Sequence, residues 1–201
     1  FNLTSKSFAK IFNTKESDLS LPARQTIKKV NFKYKKVEDK EYYKAILKII
    51  KTLDSKTLKI SGPQRLNDWE RGWEENLQEF NRGEHSLIDL MPKYLKNYYI
   101  RFQGNFINPI SSTFETDFVT VLRYYLFGKY YKGIYTLYEF GAGTGLNLLA
   151  ASELFPKMKL VGLDWASSSV EIMNLLKKKL QINISGKKFD LFNPDKKYRL
   201  E

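Results

Sequence analysis

The run from Glu139 to Asn147 (Glu-Phe-Gly-Ala-Gly-Thr-Gly-Leu-Asn) sets an acid two positions ahead of three alternating glycines. Each glycine has a separate physical use. Gly141 permits a tight turn, Gly143 lets a ligand approach bare backbone, and Gly145 lets the following helix pack closely on a sheet. The helix that opens there presents free N–H groups and a positive dipole end. Dinucleotide enzymes hold a pyrophosphate on such a loop, but with the spacing G-x-G-x-x-G. Here the spacing is G-x-G-x-G, and Glu139 stands in front. A second acid, Asp164, follows 25 residues after Glu139 in Val161-Gly162-Leu163-Asp164-Trp165. A carboxylate at the end of a neighbouring strand can accept hydrogen bonds from both hydroxyls of a ribose. Trp165 offers a flat face for a purine. A third acid, Asp190 in Phe189-Asp190-Leu191-Phe192, ends the next expected strand, where it can accept from an adenine amino group.

Outside this segment the candidates are fewer. Trp69 and Trp73 are one helical turn apart and either stack on a substrate ring or fill a core, the commoner fate of such a pair. Arg101 stands among aromatic residues, placed either to clamp a carboxylate or to sit on the surface. His85, the only histidine, lies in a polar turn that suits a solvated side chain better than a general base. With no cysteine and one histidine, thiolate metal sites, disulfides and cysteine nucleophiles are excluded, and no metal-ligand spacing occurs.

The elements that must position these groups read as two textures. After Gly133 the chain alternates strand, helix, strand, helix, strand, with strands at 134–140, 160–163 and 188–192 and helices at 146–155 and 168–180. Ser168 and Glu171 have the spacing of a capping box for the second helix. Such alternation builds βαβ units and a parallel sheet. Before it lies a leader expected to be all helical. Its helices are Asp39–Leu53, Asp68–Phe80 with Asn67 or Asp68 as N-cap, and Phe114–Tyr131. Gly83 is available as a left-handed cap for the second of these. Residues 1–35 show no clean period and read as loose helix or linker, 87–99 as a short broken helix around Pro92, and 99–106 as possible extended chain. The expected domains are therefore a helical module at 1–131 and the first half of an α/β domain at 132–201, with three parallel strands.

At Glu139, Gly141, Gly143, Gly145, Asp164 and Asp190 the sequence resembles the class I S-adenosylmethionine-dependent methyltransferases, whose fold is Rossmann-like. The resemblance covers roughly the last third of the chain. It implies that the loop, with Ala142 and Asn147, wraps the methionine end of S-adenosyl-L-methionine. It further implies that Asp164 with Trp165 holds the ribose and that Asp190 with Leu191 meets the adenine. Trp69-Glu70-Arg71-Gly72-Trp73, Pro92-Lys93-Tyr94, Phe114-Glu115 and Gly162-Leu163-Asp164-Trp165 also resemble bacterial methyltransferases found with sugar and surface-polysaccharide biosynthesis. That likeness implies a sugar-like or other small-molecule acceptor, with the leader covering the open side of the site.

Charge and length complete the sequence reading. The 201 residues carry a net charge of +12, and the stretch 24–59 holds 12 Lys or Arg against four acids. Such a concentration fits nucleic acid, a phospholipid surface or a nucleotide-linked substrate. It also fits a solvated lysine face on a helix whose Tyr43, Ile46, Leu47, Ile50 and Leu53 turn to a core. The rival readings are a basic nucleic-acid-binding protein on a non-catalytic α/β scaffold, and an NAD-binding protein. No apolar run reaches the ~20 residues of a membrane span, and the lack of cysteine fits the cytoplasm. Three strands leave the first with a bare edge. The chain is therefore expected to be a fragment, trimmed at both ends, that cannot turn over.

Overall fold

The computed structural model describes residues 1–55, 62–83, 90–92 and 99–194. It is an α/β structure with two compact units, one of residues 1–61 and 96–121, the other of 62–95 and 122–201. The borders fall away from residue 131. The first passes within a long helix at Val121–Leu122, and the second unit takes in a helix from the expected leader. Among the described residues no helix is long and apolar enough to cross a membrane.

The first unit is not all helix. It contains α1 (Ser5–Ile11), α2 (Leu21–Lys29), β1 (Tyr34–Lys36), α3 (Asp39–Asp54), β2 (Ile100–Phe102), β3 (Asn105–Pro109) and the start of α5 (Phe114–Tyr130). The three strands form an antiparallel sheet in the order β1-β3-β2. Gln103 and Gly104 both have positive φ, which is the two-residue hairpin geometry that joins β2 to β3 with the right twist. Phe8 packs edge-on to Phe32 at 5.0 Å and against Phe118 at 5.1 Å, and Phe32 meets Phe114 at 5.6 Å. These rings turn the stretch 1–35 from an apparent linker into the centre of a core. Its aperiodic look comes from short elements separated by caps, Thr4 on α1 and Ser20 on α2.

The second unit contains α4 (Leu66–Arg82), the rest of α5, β4 (Thr136–Phe140), α6 (Leu146–Leu154), β5 (Lys159–Asp164), α7 (Ser167–Leu180) and β6 (Ile184–Lys188). Its sheet is parallel, in the order β4-β5-β6. All of β5 but its first residue is buried, as a central parallel strand must be. Leu148, Leu160, Ile172, Met173, Leu176, Ile184 and Phe80 share the core.

Several expected boundaries move, each for a physical reason. β6 begins at Ile184 and ends at Lys188, so Asp190 lies beyond the strand. Gly186 decides the position of β6, since a Cβ there would stand 2.6 Å from the Val170 carbonyl of α7. The Ser168–Glu171 capping box does not form. α7 begins one residue earlier, with Ala166 at the cap and no side-chain bond of its own. α4 likewise begins at Leu66, after a short 3-10 turn at Pro63–Arg65, so Asn67 and Asp68 lie inside it. Asp68 instead bonds Arg65 and Arg71 at 3.3 and 3.2 Å. Gly83 closes α4 with φ −82° in extended backbone rather than left-handed. On α3 the expectation fails outright. No residue of that helix is buried, and Tyr43, Leu47, Ile50 and Leu53 face outward.

Candidate functional site

Both parallel crossovers send the chain out at the same end of the sheet, so β4, β5 and β6 deliver their carboxyl-terminal residues side by side. The loop Gly141–Gly145 leaves β4 there, with φ of +69°, +53° and +78° at its three glycines. Three left-handed residues at alternate positions are affordable only without side chains. A Cβ on Gly145 would press on Met173 of α7 at 3.2 Å, so this glycine serves close packing as its spacing predicts. Gly143 differs from expectation. A Cβ there would meet Trp73 at 3.0 Å, so the indole from α4, not open space for a ligand, lies on its bare face. The backbone that stays open is that of Gly141, with no atom within 4 Å of the position of a Cβ.

The loop is tied internally. Gly141 and Ala142 donate N–H to the Leu163 carbonyl at 2.7 and 3.3 Å, and Gly145 donates to Ala142 at 2.9 Å. Gly143 donates to Asp164 Oδ2 at 2.8 Å, while Asp164 Oδ1 accepts from Ala166 at 2.9 Å. Thr144 donates its hydroxyl to the Leu90 carbonyl at 2.7 Å, and Asn76 of α4 donates to Met91 at 2.9 Å. Asp164 therefore clamps the loop to the start of α7, a duty that spacing does not reveal. With the Trp165 N–H acting on it as well, the carboxylate retains capacity for a further donor. Burial pushes its carboxyl up, against the pull of the Ala166 and Gly143 N–H groups.

Asp164 and Gly141 line a cavity of about 250 Å³ together with Trp69, Trp73, Trp165, Phe189, Leu191 and Phe192. Its walls are rings in pairs. Trp165 stacks on Phe192 at 5.5 Å and 29°, and Trp69 on Trp73 at 6.2 Å and 24°. The volume lies just below the ~300–1,000 Å³ of small-molecule sites. Flat faces around one carboxylate suit a planar heteroaromatic ring or a cation, with hydroxyl or N–H donors turned to Asp164. Both readings of the tryptophan pair thus meet in one place, since Trp73 packs on the loop and also walls the cavity.

Glu139 stands one strand away, next to the end of β4 and half-buried. Asn147 of α6 donates to its Oε1, and Arg123 of α5 donates Nε–H to the side-chain Oδ1 of Asn147. Its Oε2 is buried and has no hydrogen-bond partner. Burial pushes its pKa up to about 7, with the Asn147 bond and the Arg123 charge pulling the other way. An unsatisfied buried carboxyl oxygen is uncommon, and a proton held on it, a water or a ligand donor would each answer it.

Glu70 completes the arrangement from α4. Its two oxygens accept from the N–H groups of Ser168 and Ser167 at 2.9 and 2.8 Å, capping α7 from another helix. Those bonds, with Lys188 nearby, hold its carboxyl below the usual range in spite of partial burial.

Of the sequence-chosen residues, Gly141, Asp164, Trp165, Leu191, Trp69 and Trp73 line the cavity; Gly143 is tied to it through Asp164, Ala142 and Gly145 bond each other within the loop, and Glu139 pairs with Asn147 outside the lining. Asp190 sits two residues past β6, and its carboxylate accepts from the Phe192 N–H at 2.8 Å, shaping the turn that carries Phe192 into the wall. Arg101 is exposed on β2 of the first unit, in register with Phe106, and is not in the cavity lining. His85, Lys93 and Tyr94 lie outside the described residues. Sequence reasoning missed Arg123, Glu70, Phe189 and Phe192. Arg123 left a trace as a cation amid the apolar run of α5, whereas Glu70, named only within the Trp69–Trp73 run, acts across 97 positions, and nothing in its neighbourhood points to that partner. Among the described residues no group of three or more His, Asp or Glu could hold a metal ion. No family model matches the chain, and no curated protein does.

Proposed function

We propose that the protein is an S-adenosylmethionine-dependent methyltransferase acting on a small-molecule or sugar-like acceptor. The observation that carries the reading is the unpartnered Oε2 of Glu139 beside the glycine loop, one strand from a carboxylate set among aromatic rings. A ligand with a cationic amine at one end and a purine nucleoside at the other answers both demands. Glu139 would receive the amine, Gly141 would leave room for the ligand's stem, and Asp164 would accept from ribose hydroxyls. Trp165, Leu191 and Phe192 would enclose the base. When bound, the cofactor supplies a methyl group made reactive by its positive sulfur.

The chain's own contribution is orientation and exclusion of water. Trp69 and Trp73 cover the cavity on the side of α4, and Arg123 through Asn147 keeps the Glu139 carboxylate turned inward. The loop geometry counts against a pyrophosphate ligand. The N–H groups of Gly141, Ala142, Gly143 and Gly145 already donate within the chain, leaving few for phosphate oxygens. Calorimetric titration with S-adenosylhomocysteine tests the reading. Saturable binding supports it, and retention on RNA with no nucleoside affinity supports a nucleic-acid-binding protein instead.

A further inference from the structure

The lysine-rich helix α3 plays no part in the site above, and its exposed side is unusual. Tyr43, Leu47, Ile50 and Leu53 are 64%, 55%, 46% and 59% exposed, and helical spacing puts them on one stripe. Monomeric proteins seldom leave a contiguous apolar strip of this kind uncovered. At 100° per residue, Lys40, Lys44, Lys48 and Lys51 fall in the sector alongside that stripe, on one flank only. Asp39 and Glu41 lie in the first turn, at the positive end of the helix dipole, and Asp54 ends the helix, so the cationic part of the flank is its middle, from Lys44 to Lys51. Two open hollows of about 670 and 630 Å³ border the same flank and share Lys44 and Lys48, the first lined also by Phe106, Asn108 and one acid, Glu41.

We propose that α3 is a docking surface for an anionic phospholipid membrane. The Tyr43–Leu47–Ile50–Leu53 stripe sinks among the acyl-chain ends while the lysine row pairs with phosphates. Charge complementarity selects this occupant. The surrounding stretch 24–59 carries a net +8, so two copies of α3 laid together would oppose like charges. Nucleic acid would satisfy the lysines and leave the apolar stripe wet. A bilayer surface takes both at once, because an interfacial helix buries its apolar side to the depth of the headgroup boundary and keeps its lysines at phosphate level. The tyrosine suits that boundary as well. The two hollows give lipid headgroups room beside Lys44 and Lys48.

The test is sedimentation of the full chain with vesicles of phosphatidylcholine, with and without phosphatidylglycerol. Binding is expected only with phosphatidylglycerol. Lys44→Gln with Lys48→Gln should weaken it more than about tenfold, at about fivefold per lysine. Leu47→Ser with Ile50→Ser should weaken it tenfold or more at unchanged melting temperature, because both side chains are exposed already. The proposal is overturned if the wild-type chain ignores phosphatidylglycerol, or if the serine pair binds as well as wild type. It is also overturned if light scattering finds a lipid-free dimer that the serine pair dissociates, or if the chain prefers RNA in competition with the vesicles.

Discussion

Glu139 is a carboxyl group kept partly protonated near neutral pH by burial, with a pKa pushed up to about 7. Its unfolded value is the ordinary one near 4.5, so the folded state holds the proton more tightly. The contribution to stability is fully present below pH ~4.5 and is lost as pH rises through ~7, a loss of about 3 kcal/mol. Glu139→Gln removes that titration while keeping an acceptor for Asn147. The variant should melt higher than wild type at pH 8 and level with it near pH 4.5, by scanning calorimetry, while losing affinity for S-adenosylhomocysteine. Asp164 acts differently, because two buried N–H groups depend on it. Asp164→Ala should cost about 1–3 kcal/mol for each orphaned donor and lower nucleoside affinity roughly ten- to a hundredfold. Asp164→Asn, which keeps one acceptor oxygen, should fall between in urea titrations.

At the scale of elements, the site depends on α4 being fastened to the sheet. Glu70 caps α7, and Trp73 lies on Gly143. Glu70→Ala should lose about 1–2 kcal/mol, as an N-cap does, and should loosen the tryptophan side of the cavity, read as a red shift of tryptophan emission. Gly143→Ala faces both a positive φ and the Trp73 ring. In a double-mutant cycle with Trp73→Ala the steric part of its cost should be recovered and the backbone part should remain. These contacts also show why the sequence was only partly legible. The β4–α6–β5–α7 order could be read because apolar runs, glycines and Pro156 punctuate it. β6 was shifted because its start depends on Gly186 fitting beneath α7, a fact of packing. The α7 cap was misassigned because Glu70, far off in sequence, replaces the local box. α3 was misread for the opposite reason: its amphipathic pattern is real, but the pattern does not say what covers it.

Across the whole molecule, the glycine loop, its two acids and Trp165 were legible because their spacing reports local backbone geometry. The walls supplied by Phe189 and Phe192, and the relay from Arg123, were not, because each arrives through tertiary folding. The cavity and Glu139 both belong to the second unit, residues 62–95 and 122–201. Ligand should therefore slow amide exchange in peptides covering 137–147, 163–166 and 189–192, and leave those of α1, α2 and β1 unchanged, by mass spectrometry. Isothermal titration of the folded chain with S-adenosylhomocysteine, beside Gly143→Val as a control, decides whether the second unit holds the nucleoside. Saturable one-to-one binding by wild type, absent in the variant, is the predicted result. A folded, cooperatively melting chain that gives no binding heat at any temperature tried, or one that binds equally well with Gly143→Val, would contradict it.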